Sequence, residues 1–244
     1  MPNDKFERYC PSGDSNRAER EMHVSRYAYV ADFINKNEDR RRQDGKKSKL
    51  RILDCGCGFG YGDAYLGRKT ACSVVGIDKS TDAITFAKKH YSSELVSFRE
   101  ASVTDLPFGS KSFDFALSIG VLQQLKLGDA KTAISQMFRV LRPGGRAILL
   151  LPNRDVISKL YAKYGGNPYH KHEFNPAELA ACLNEAGFSV TDCVGQQPRI
   201  PLIYRMFNSG LAPSGLFHPH KFLPVSSCVY FLMFAQKSSG MGKG

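Results

Sequence analysis

The sequence predicts an α/β protein whose helices cover both faces of a doubly wound, mostly parallel sheet of seven strands. Apolar runs of strand length alternate with helical segments five times from residue 50 onward, which is typical of β–α units in a parallel sheet. The first run enters a glycine-rich turn that opens a helix. Two later runs, residues 188–194 and 227–235, predict a terminal strand pair whose last strand is antiparallel.

The elements follow from local patterns, taken in chain order. Strands of a buried sheet are predicted where short apolar runs end in turn residues, at residues 50–53, 73–78, 96–98, 112–118 and 147–151. Helices are predicted where apolar residues recur every three or four positions or where capping residues begin a segment, at residues 23–35, 63–68, 81–90, 130–141, 154–164 and 176–186. Ser80 or Thr81 is the candidate N-cap of one of these helices, and Asn175 is the candidate N-cap of another.

Domain boundaries follow from composition. We expect an N-terminal region of polar arm, helix and basic linker (residues 1–49), a central domain (residues 50–235) and a flexible tail (residues 236–244). Two long segments of the central domain, residues 153–176 and 195–224, predict insertions on the substrate side. The second is rich in proline and aromatic residues and predicts C-terminal cap loops.

Composition limits the functional classes. The chain has 244 residues, of which 42% are apolar, and it lacks an apolar run of the ~20 residues that a membrane-spanning helix needs. The first residues do not form a secretory signal, and the seven cysteines are odd in number, so we expect reduced thiols and a cytoplasmic protein. Cys55 and Cys57 lack two further ligands at suitable spacing, so no metal site is predicted.

The formal net charge of +11 raises the question of a nucleic-acid partner. Much of the excess lies in residues 39–51, which carry seven arginines and lysines but no aromatic residue that could stack on a base. A solvated linker is therefore the favoured interpretation. A phosphate-binding role for this segment stays open as the weaker alternative. The oligomeric state is not predicted.

The glycine turn selects the ligand class. Glycines 56, 58 and 60 read G-x-G-x-G, whereas the dinucleotide fingerprint would require a glycine at the position of Tyr61. Asp54 directly before the turn would repel a pyrophosphate and suits a cationic ligand. Residues 53–60 resemble the first motif of class I S-adenosylmethionine-dependent methyltransferases, L-D-x-G-x-G-x-G. The ammonium and sulfonium groups of that cofactor are both positive.

Three further stretches resemble the same family in the same order. Residues 100–108 resemble the adenine loop G-D-A-x-x-L-P-F, residues 112–118 resemble S-F-D-x-V-x-S, and residues 140–145 match V-L-R-P-G-G closely. The resemblance implies a Rossmann-like fold, an enzyme, and S-adenosylmethionine as the cofactor. The residues that it places at the cofactor are Asp54, Cys55, Gly56, Gly58, Gly60, Asp78, Lys79, Ser102, Val103, Thr104, Asp105 and Ile119.

Individual roles follow from the resemblance and from side-chain chemistry. Asp78 is expected to accept hydrogen bonds from the ribose hydroxyls, with a plain turn aspartate as the alternative. Ser102 stands where the family often has the aspartate that binds the adenine amino group, and Asp105 is the other candidate. The backbone at Ile119 should face the methionine part. Arg26 offers a bidentate partner for the cofactor carboxylate, unless it is simply a helix-surface arginine.

The catalytic base is less well marked. The family often has a histidine after the fourth strand, where this chain has Gln123 and Gln124, and glutamine is not a useful base. An H-x-x-R-Y stretch at His23 and an N-x-x-H-x-x-E-F stretch around His170 resemble a bacterial group of small-molecule or glycan methyltransferases with a methyltransferase-11-like domain. Because His170 lies in the loop after the core that should border the pocket, it is the first candidate base; His23 is the second, and His172 is a further candidate.

The predicted function is methyl transfer to a hydroxyl or amine of a small molecule or sugar, by in-line displacement with a histidine base. Two alternatives stay open. One is an RNA-directed methyltransferase that uses the basic linker. The other is a non-catalytic scaffold that binds the cofactor. This alternative is considered because glutamines replace the family's histidine after the fourth strand.

Overall fold

The fold is an α/β sandwich around a single sheet, as the sequence predicts. The computed structural model describes residues 17–43, 49–199, 218–221 and 224–238. Within these residues the strands are β1 (Arg51–Cys55), β2 (Ser73–Asp78), β3 (Val96–Glu100), β4 (Phe113–Ile119), β5 (Leu141–Pro152), β6 (Phe188–Pro198) and β7 (Cys228–Lys237). They form one seven-stranded sheet in the order β3-β2-β1-β4-β5-β7-β6.

Strand direction places a crevice at one edge of this sheet. β1 pairs in parallel with β2 on one side and with β4 on the other, while β7 runs antiparallel to both β5 and β6. The chain leaves β1 toward β2 and leaves β4 toward β5, so the connections turn away from each other between β1 and β4. Ligands bind at such a switch point, beyond the carboxyl ends of the strands. The glycine turn follows β1 at this position.

Helices flank the sheet. They are α1 (Arg17–Gln43), α2 (Tyr61–Lys69), α3 (Thr81–Tyr91), α4 (Leu127–Val140), α5 (Arg154–Tyr164) and α6 (Pro176–Glu185), with short 3-10 turns at Leu122–Gln124 and Val225–Ser227. Ser80 Oγ accepts from the backbone N–H of Ala83, and Asn175 Oδ1 accepts from that of Glu178, so both predicted N-caps are present.

The hydrophobic core has two halves, one on each face of the sheet. In β1, Leu53 and Cys55 pack on the face covered by α4 and α6, whereas Ile52 packs on the face covered by α1, α2 and α3. This split follows from the alternation of side chains along a strand. Each large side chain that is fully buried, such as Phe113 or Phe231, contributes roughly 1.5–3 kcal/mol to folding.

Several predicted boundaries were wrong. α1 is longer than the predicted 23–35 and takes in residues 39–43 of the expected linker. β6 continues through Pro198, so residues 195–198 belong to the sheet and not to a cap loop. β7 includes residues 236 and 237 of the expected tail, and Lys237 Nζ donates to the carbonyl oxygens of Phe138 and Leu141 at 2.6 and 2.9 Å.

Other expectations fall outside the described residues. These are the polar arm at residues 1–16, the centre of the basic linker at 44–48, most of the predicted cap loop at 200–217, and the tail from 239 onward. Arg51 at the end of the linker is part of the fold: its N–H donates to Asp114 Oδ2 at 2.9 Å and its guanidinium stacks over the Phe113 ring. Across the described ranges, no helix is long and apolar enough to cross a membrane.

Candidate functional site

The glycine turn is held by backbone bonds to the neighbouring strand. The N–H groups of Gly56 and Cys57 both donate to the carbonyl oxygen of Ile77, at 2.7 and 2.8 Å. Gly56, Gly58 and Gly60 have φ angles of +90°, +54° and +81°, a region that favours glycine. A Cβ atom on Gly56 would lie 2.4 Å from Cγ2 of Val121, the residue before the Leu122–Gln124 turn. The turn therefore lies directly against the segment that follows β4.

Asp78 joins the glycine turn to the end of β2. Its Oδ2 accepts from the N–H of Gly58 at 3.1 Å and its Oδ1 accepts from the N–H of Ser80 at 3.0 Å. These bonds show the turn-forming role that was the alternative for this residue.

The predicted adenine loop is brought to Asp78 by one backbone bond, from Ala101 N–H to Asp78 O at 3.0 Å. Within the loop, the hydroxyls of Ser102 and Thr104 are 2.7 Å apart, and Asp105 N–H donates to Ser102 O at 3.2 Å. Val103 packs on the core. The side chains of Ser102, Asp105 and Lys79 are exposed beside the crevice.

Two carboxyl groups are fully buried behind the turn. Asp54 Oδ2 accepts from the hydroxyl of Tyr27 at 3.1 Å, and the ring of Tyr27 reaches this position because Gly62 has no side chain: a Cβ there would lie 2.0 Å from Tyr27 Cζ. Asp63 lies over Gly76, where a Cβ would come within 2.7 Å of Asp63 Oδ1. Within the described part of the chain, Asp54 Oδ1 and both oxygens of Asp63 have no hydrogen-bond partner.

Burial controls the charge of these two groups. It raises the pKa of Asp54 to about 7, an effect that the Tyr27 hydrogen bond opposes and the nearby Asp78 charge reinforces. Burial and the Asp54 charge raise the pKa of Asp63 well above its ordinary value. The site therefore has buried carboxyls that lack a cation, and a positively charged ligand would favour their ionised form.

Arg26 is the converse case, a buried cation that lacks an anion. It is 4% exposed, donates from Nε to Gln196 Oε1 at 2.9 Å, and stacks over the ring of Tyr230 at 4.5 Å. Its Nη2 is buried without a hydrogen-bond partner in the described residues, and no carboxylate among them pairs with it. An unpaired buried charge is costly, so this guanidinium is suited to receive an anionic group of a ligand.

His23 lies beside Arg26 on α1. Its Nδ1 is 3.4 Å from Arg26 Nη1 and 3.4 Å from the hydroxyl of Tyr61, the first residue of α2. Burial, with a smaller contribution from the Arg26 charge, lowers the pKa of His23 to about 2. The ring is therefore neutral near pH 7, in contact with both the guanidinium and the start of α2.

The loop that carries His170 is attached to the segment after β4. The N–H groups of Lys171 and His172 donate to the carbonyl oxygen of Gln123 at 2.8 and 3.2 Å. His170 Nδ1 lies 2.8 Å from Glu173 Oε1 and 3.3 Å from the hydroxyl of Tyr161 on α5. A path of contacts therefore runs from the glycine turn through Val121 and Gln123 to His170.

Comparisons with known proteins agree on one family. Residues 53–149 match the model of a methyltransferase domain. Over 59% of its length the chain is 35% identical to a probable S-adenosylmethionine-dependent methyltransferase of Mycolicibacterium smegmatis, and over 58% it is 33% identical to an O-methyltransferase of Aspergillus nomiae. Residues 53–149 are therefore similar to the domain of class I S-adenosylmethionine-dependent methyltransferases. The chain covers only 54% and 65% of the lengths of these two relatives.

The fold of this chain is similar to the folds of solved structures. A magnesium protoporphyrin IX methyltransferase from Synechocystis PCC 6803, solved with bound S-adenosylhomocysteine, superposes with a TM-score of 0.62 at 18% identity, over 93% of this chain and 90% of that one. At this identity the likeness concerns the fold. The match to a methyltransferase domain and the S-adenosylmethionine-dependent relative support S-adenosylmethionine as the cofactor.

The structure brings most of the predicted cofactor residues to one crevice. The glycine turn, Asp78 with Lys79, the loop 102–105 and the end of β4 at Ile119 all lie at the carboxyl edge of the sheet. The side chain of Cys55 is buried in the core and does not reach the crevice, and burial raises the pKa of its thiol. The described residues hold no group of three histidine, cysteine or acidic side chains that could bind a metal ion.

The role of His23 as the second candidate base stays a prediction. Burial between α1 and α2, with the Arg26 charge, lowers the pKa of its ring to about 2, which weighs against proton uptake near neutral pH.

Several residues of the candidate site were not predicted from the sequence. Asp63, Tyr27 and Gln196 have no local signal, since each acts through a contact with a distant element. Glu173 does have one. It follows His170 by three positions, a spacing that allows the two side chains to meet.

Proposed function

We propose that the protein transfers a methyl group from S-adenosylmethionine to a hydroxyl of a small molecule, with His170 as the general base. The observation that carries this proposal is the attachment of the His170 loop to Gln123, in the segment that packs on the glycine turn through Val121. This attachment supports a position for the first candidate base beside the crevice where the cofactor turn lies.

The residues present fit the cofactor. Asp78 and the loop 102–105 offer acceptors for ribose and adenine, and the positive φ angles of the turn allow close approach of the backbone. The buried carboxyls of Asp54 and Asp63 lack a cation, and Arg26 lacks an anion, among the described residues. A ligand that carries an ammonium, a sulfonium and a carboxylate satisfies both needs, and we assign the carboxylate to Arg26.

The chemistry needs little from the protein besides alignment and a base. The bound cofactor supplies a methyl group on a cationic sulfur, so transfer breaks the S–C bond, leaves its electron pair on sulfur and forms a bond to the acceptor oxygen. The protein holds the acceptor in line and excludes water. His170 takes the hydroxyl proton, a role for which a neutral imidazole is suited near pH 7.

A hydroxyl acceptor is favoured over an amine because the Aspergillus nomiae relative is named an O-methyltransferase. Sugars remain within the proposal, since they also present hydroxyls. The basic linker gives the RNA alternative no further support: Arg51 is engaged with Asp114 and Phe113, and residues 39–43 belong to α1.

The test is release of S-adenosylhomocysteine by the purified full chain against a panel of phenols, alcohols, hydroxy acids, sugars, amines and RNA. We expect release with a hydroxyl compound, and His170→Gln should lower kcat on the order of 100-fold with unchanged affinity for S-adenosylhomocysteine. His172→Gln, a change two positions away in the same loop, is the control and should retain turnover. Release that requires RNA, or full activity of His170→Gln, would contradict the proposal.

A further inference from the structure

Glu173 is the acidic partner of the proposed base. Its Oε1 lies 2.8 Å from His170 Nδ1, and the two side chains are only 16% and 8% exposed. We infer that Glu173 is a positioning residue that holds His170 in the Nδ1–H tautomer, so that Nε2 is the nitrogen that takes the acceptor proton. This inference rests on the proposed role of His170 and adds a residue and an atom to it.

The tautomer follows from the chemistry of the partners. An ionised carboxylate can only accept, so the ring nitrogen that faces it carries the hydrogen. The Tyr161 hydroxyl, which can donate or accept, also faces Nδ1 but at the longer distance of 3.3 Å. With Nδ1–H directed to Glu173, the lone pair of the neutral ring is on Nε2. The proton moves from the acceptor hydroxyl to Nε2, and Glu173 stays ionised beside the imidazolium that forms.

The backbone around Glu173 is fixed from two sides. Arg154 at the start of α5 donates from its N–H to Phe174 O at 2.9 Å and from Nη1 to Glu173 O at 3.1 Å. Phe174 is fully buried in the core. On the other side, the bonds to Gln123 O hold residues 171 and 172. Side chains on a segment held in this way lose little further freedom when they pair, which is what a preorganised dyad requires.

A second histidine–glutamate pair in the same loop provides a comparison. His172 Nε2 lies 2.8 Å from Glu178 Oε1, but Arg154 Nη1 binds Glu178 Oε2 at 2.6 Å. The arginine neutralises Glu178, and the pair is more exposed, at 23% and 25%. The His172 ring also packs edge-on against Phe174. This pair ties the loop to α6, and it serves as a matched control for His170 and Glu173.

The first test needs no acceptor and no bound cofactor. Nitrogen NMR of the ring nitrogens of the six histidines, with His170→Gln to assign the signals, reports the tautomer of His170 in the full chain. We expect Nδ1–H in the wild type and in Glu173→Asp, which keeps the charge. Glu173→Leu should move His170 to the Nε2–H tautomer, whereas Glu178→Leu should change only His172. An unchanged His170 tautomer in Glu173→Leu would overturn the inference.

The second test uses the acceptor that the panel assay identifies. Glu173→Leu should lower kcat at least about 10-fold with little change in KM, because the ring of His170 is no longer held in the tautomer that takes the proton on Nε2. Glu173→Asp should recover most of the activity. If His170→Gln is inactive while Glu173→Leu is normal, Glu173 has no role and the base survives. If His170→Gln is fully active, the base itself is wrong.

Discussion

At the scale of single residues, the site is defined by charges that the described protein leaves unbalanced. Asp54 and Asp63 are buried without a cation, and Arg26 is buried without an anion. Such groups are expensive in a folded protein unless a ligand completes them. The free energy that these groups cost in the ligand-free protein can therefore be measured, and it indicates the charge of the groups that the site binds.

Asp54 gives this cost a pH dependence. Its pKa is raised to about 7 in the folded protein, against 3.8 for the ordinary side chain, so between these values the folded state holds a proton that the unfolded chain has released. Asp54 alone lowers the free energy of unfolding as pH rises through this interval, by about 1.4 kcal/mol for each pKa unit. Urea unfolding of the ligand-free protein at pH 5 and pH 8 measures the total change, to which Asp63 contributes in the same direction and His23 in the opposite one. Asp54→Asn should remove the part of the change that belongs to Asp54.

The comparison must be between variants, because other groups also titrate in this range. Asp82→Asn, at an exposed position in the first turn of α3, is the control and should keep the pH dependence of the wild type. A slope for Asp54→Asn equal to that of the wild type would mean that Asp54 is ionised in the fold. Binding of a cationic ligand should also release protons near pH 7, which calorimetry in buffers of different ionisation enthalpy detects.

At the scale of elements, the glycine turn depends on the absence of side chains. Gly60 is the N-cap of α2 with φ +81°, and a Cβ there would lie 2.6 Å from Phe98 Cε1 and 2.8 Å from Ala87 Cβ. We expect Gly60→Ala to lower the free energy of unfolding by about 2 kcal/mol and to weaken binding of S-adenosylhomocysteine, as measured by urea unfolding and calorimetry.

Gly128 is the matched control for this change. It lies in α4, and a Cβ atom added there would have no neighbouring atom of the described protein within 4 Å. Gly128→Ala should therefore stabilise the protein by up to about 1 kcal/mol and leave binding unchanged. Equal effects of the two substitutions would show that the turn has no special backbone requirement.

Most elements could be predicted from local sequence, because the spacing of apolar residues and the capping residues match the helices and strands that the structure contains. α5 has the predicted bounds of residues 154–164, and Ser80 and Asn175 cap as predicted. The failures have physical causes. Residues 36–43 lack an apolar stripe, yet their lysine, arginines and glutamate are good helix formers, so α1 continues. Residues 195–198 carry glycine and proline, but pairing with β7 makes them a strand.

At the scale of the whole molecule, the parts of the site that sequence could not predict are contacts between distant elements. The turn and Asp78 were predicted because their motif is local. Gln196 was not, because nothing near residue 196 indicates that its amide meets Arg26, 170 residues earlier in the chain. The same amide donates to Met22 O and Ser25 Oγ, each at 3.1 Å. One buried side chain of β6 thus holds α1, and with it Tyr27 and Arg26, over the site.

The contacts of Gln196 predict that α1 would open more often if this side chain were replaced. Gln196→Leu leaves Arg26 Nε buried without its acceptor, at a cost of about 1–3 kcal/mol, and removes both bonds to the N-terminal half of α1. We expect faster amide exchange in α1 and weaker binding of S-adenosylhomocysteine, with unchanged exchange in β4 and β5. Gln236→Leu, which removes only a 3.3 Å bond to Gly144 O, should affect neither. If α1 exchanges at the wild-type rate in Gln196→Leu, packing of Tyr27 and Ile34 alone holds the helix, and the arginine must reach the site by another support.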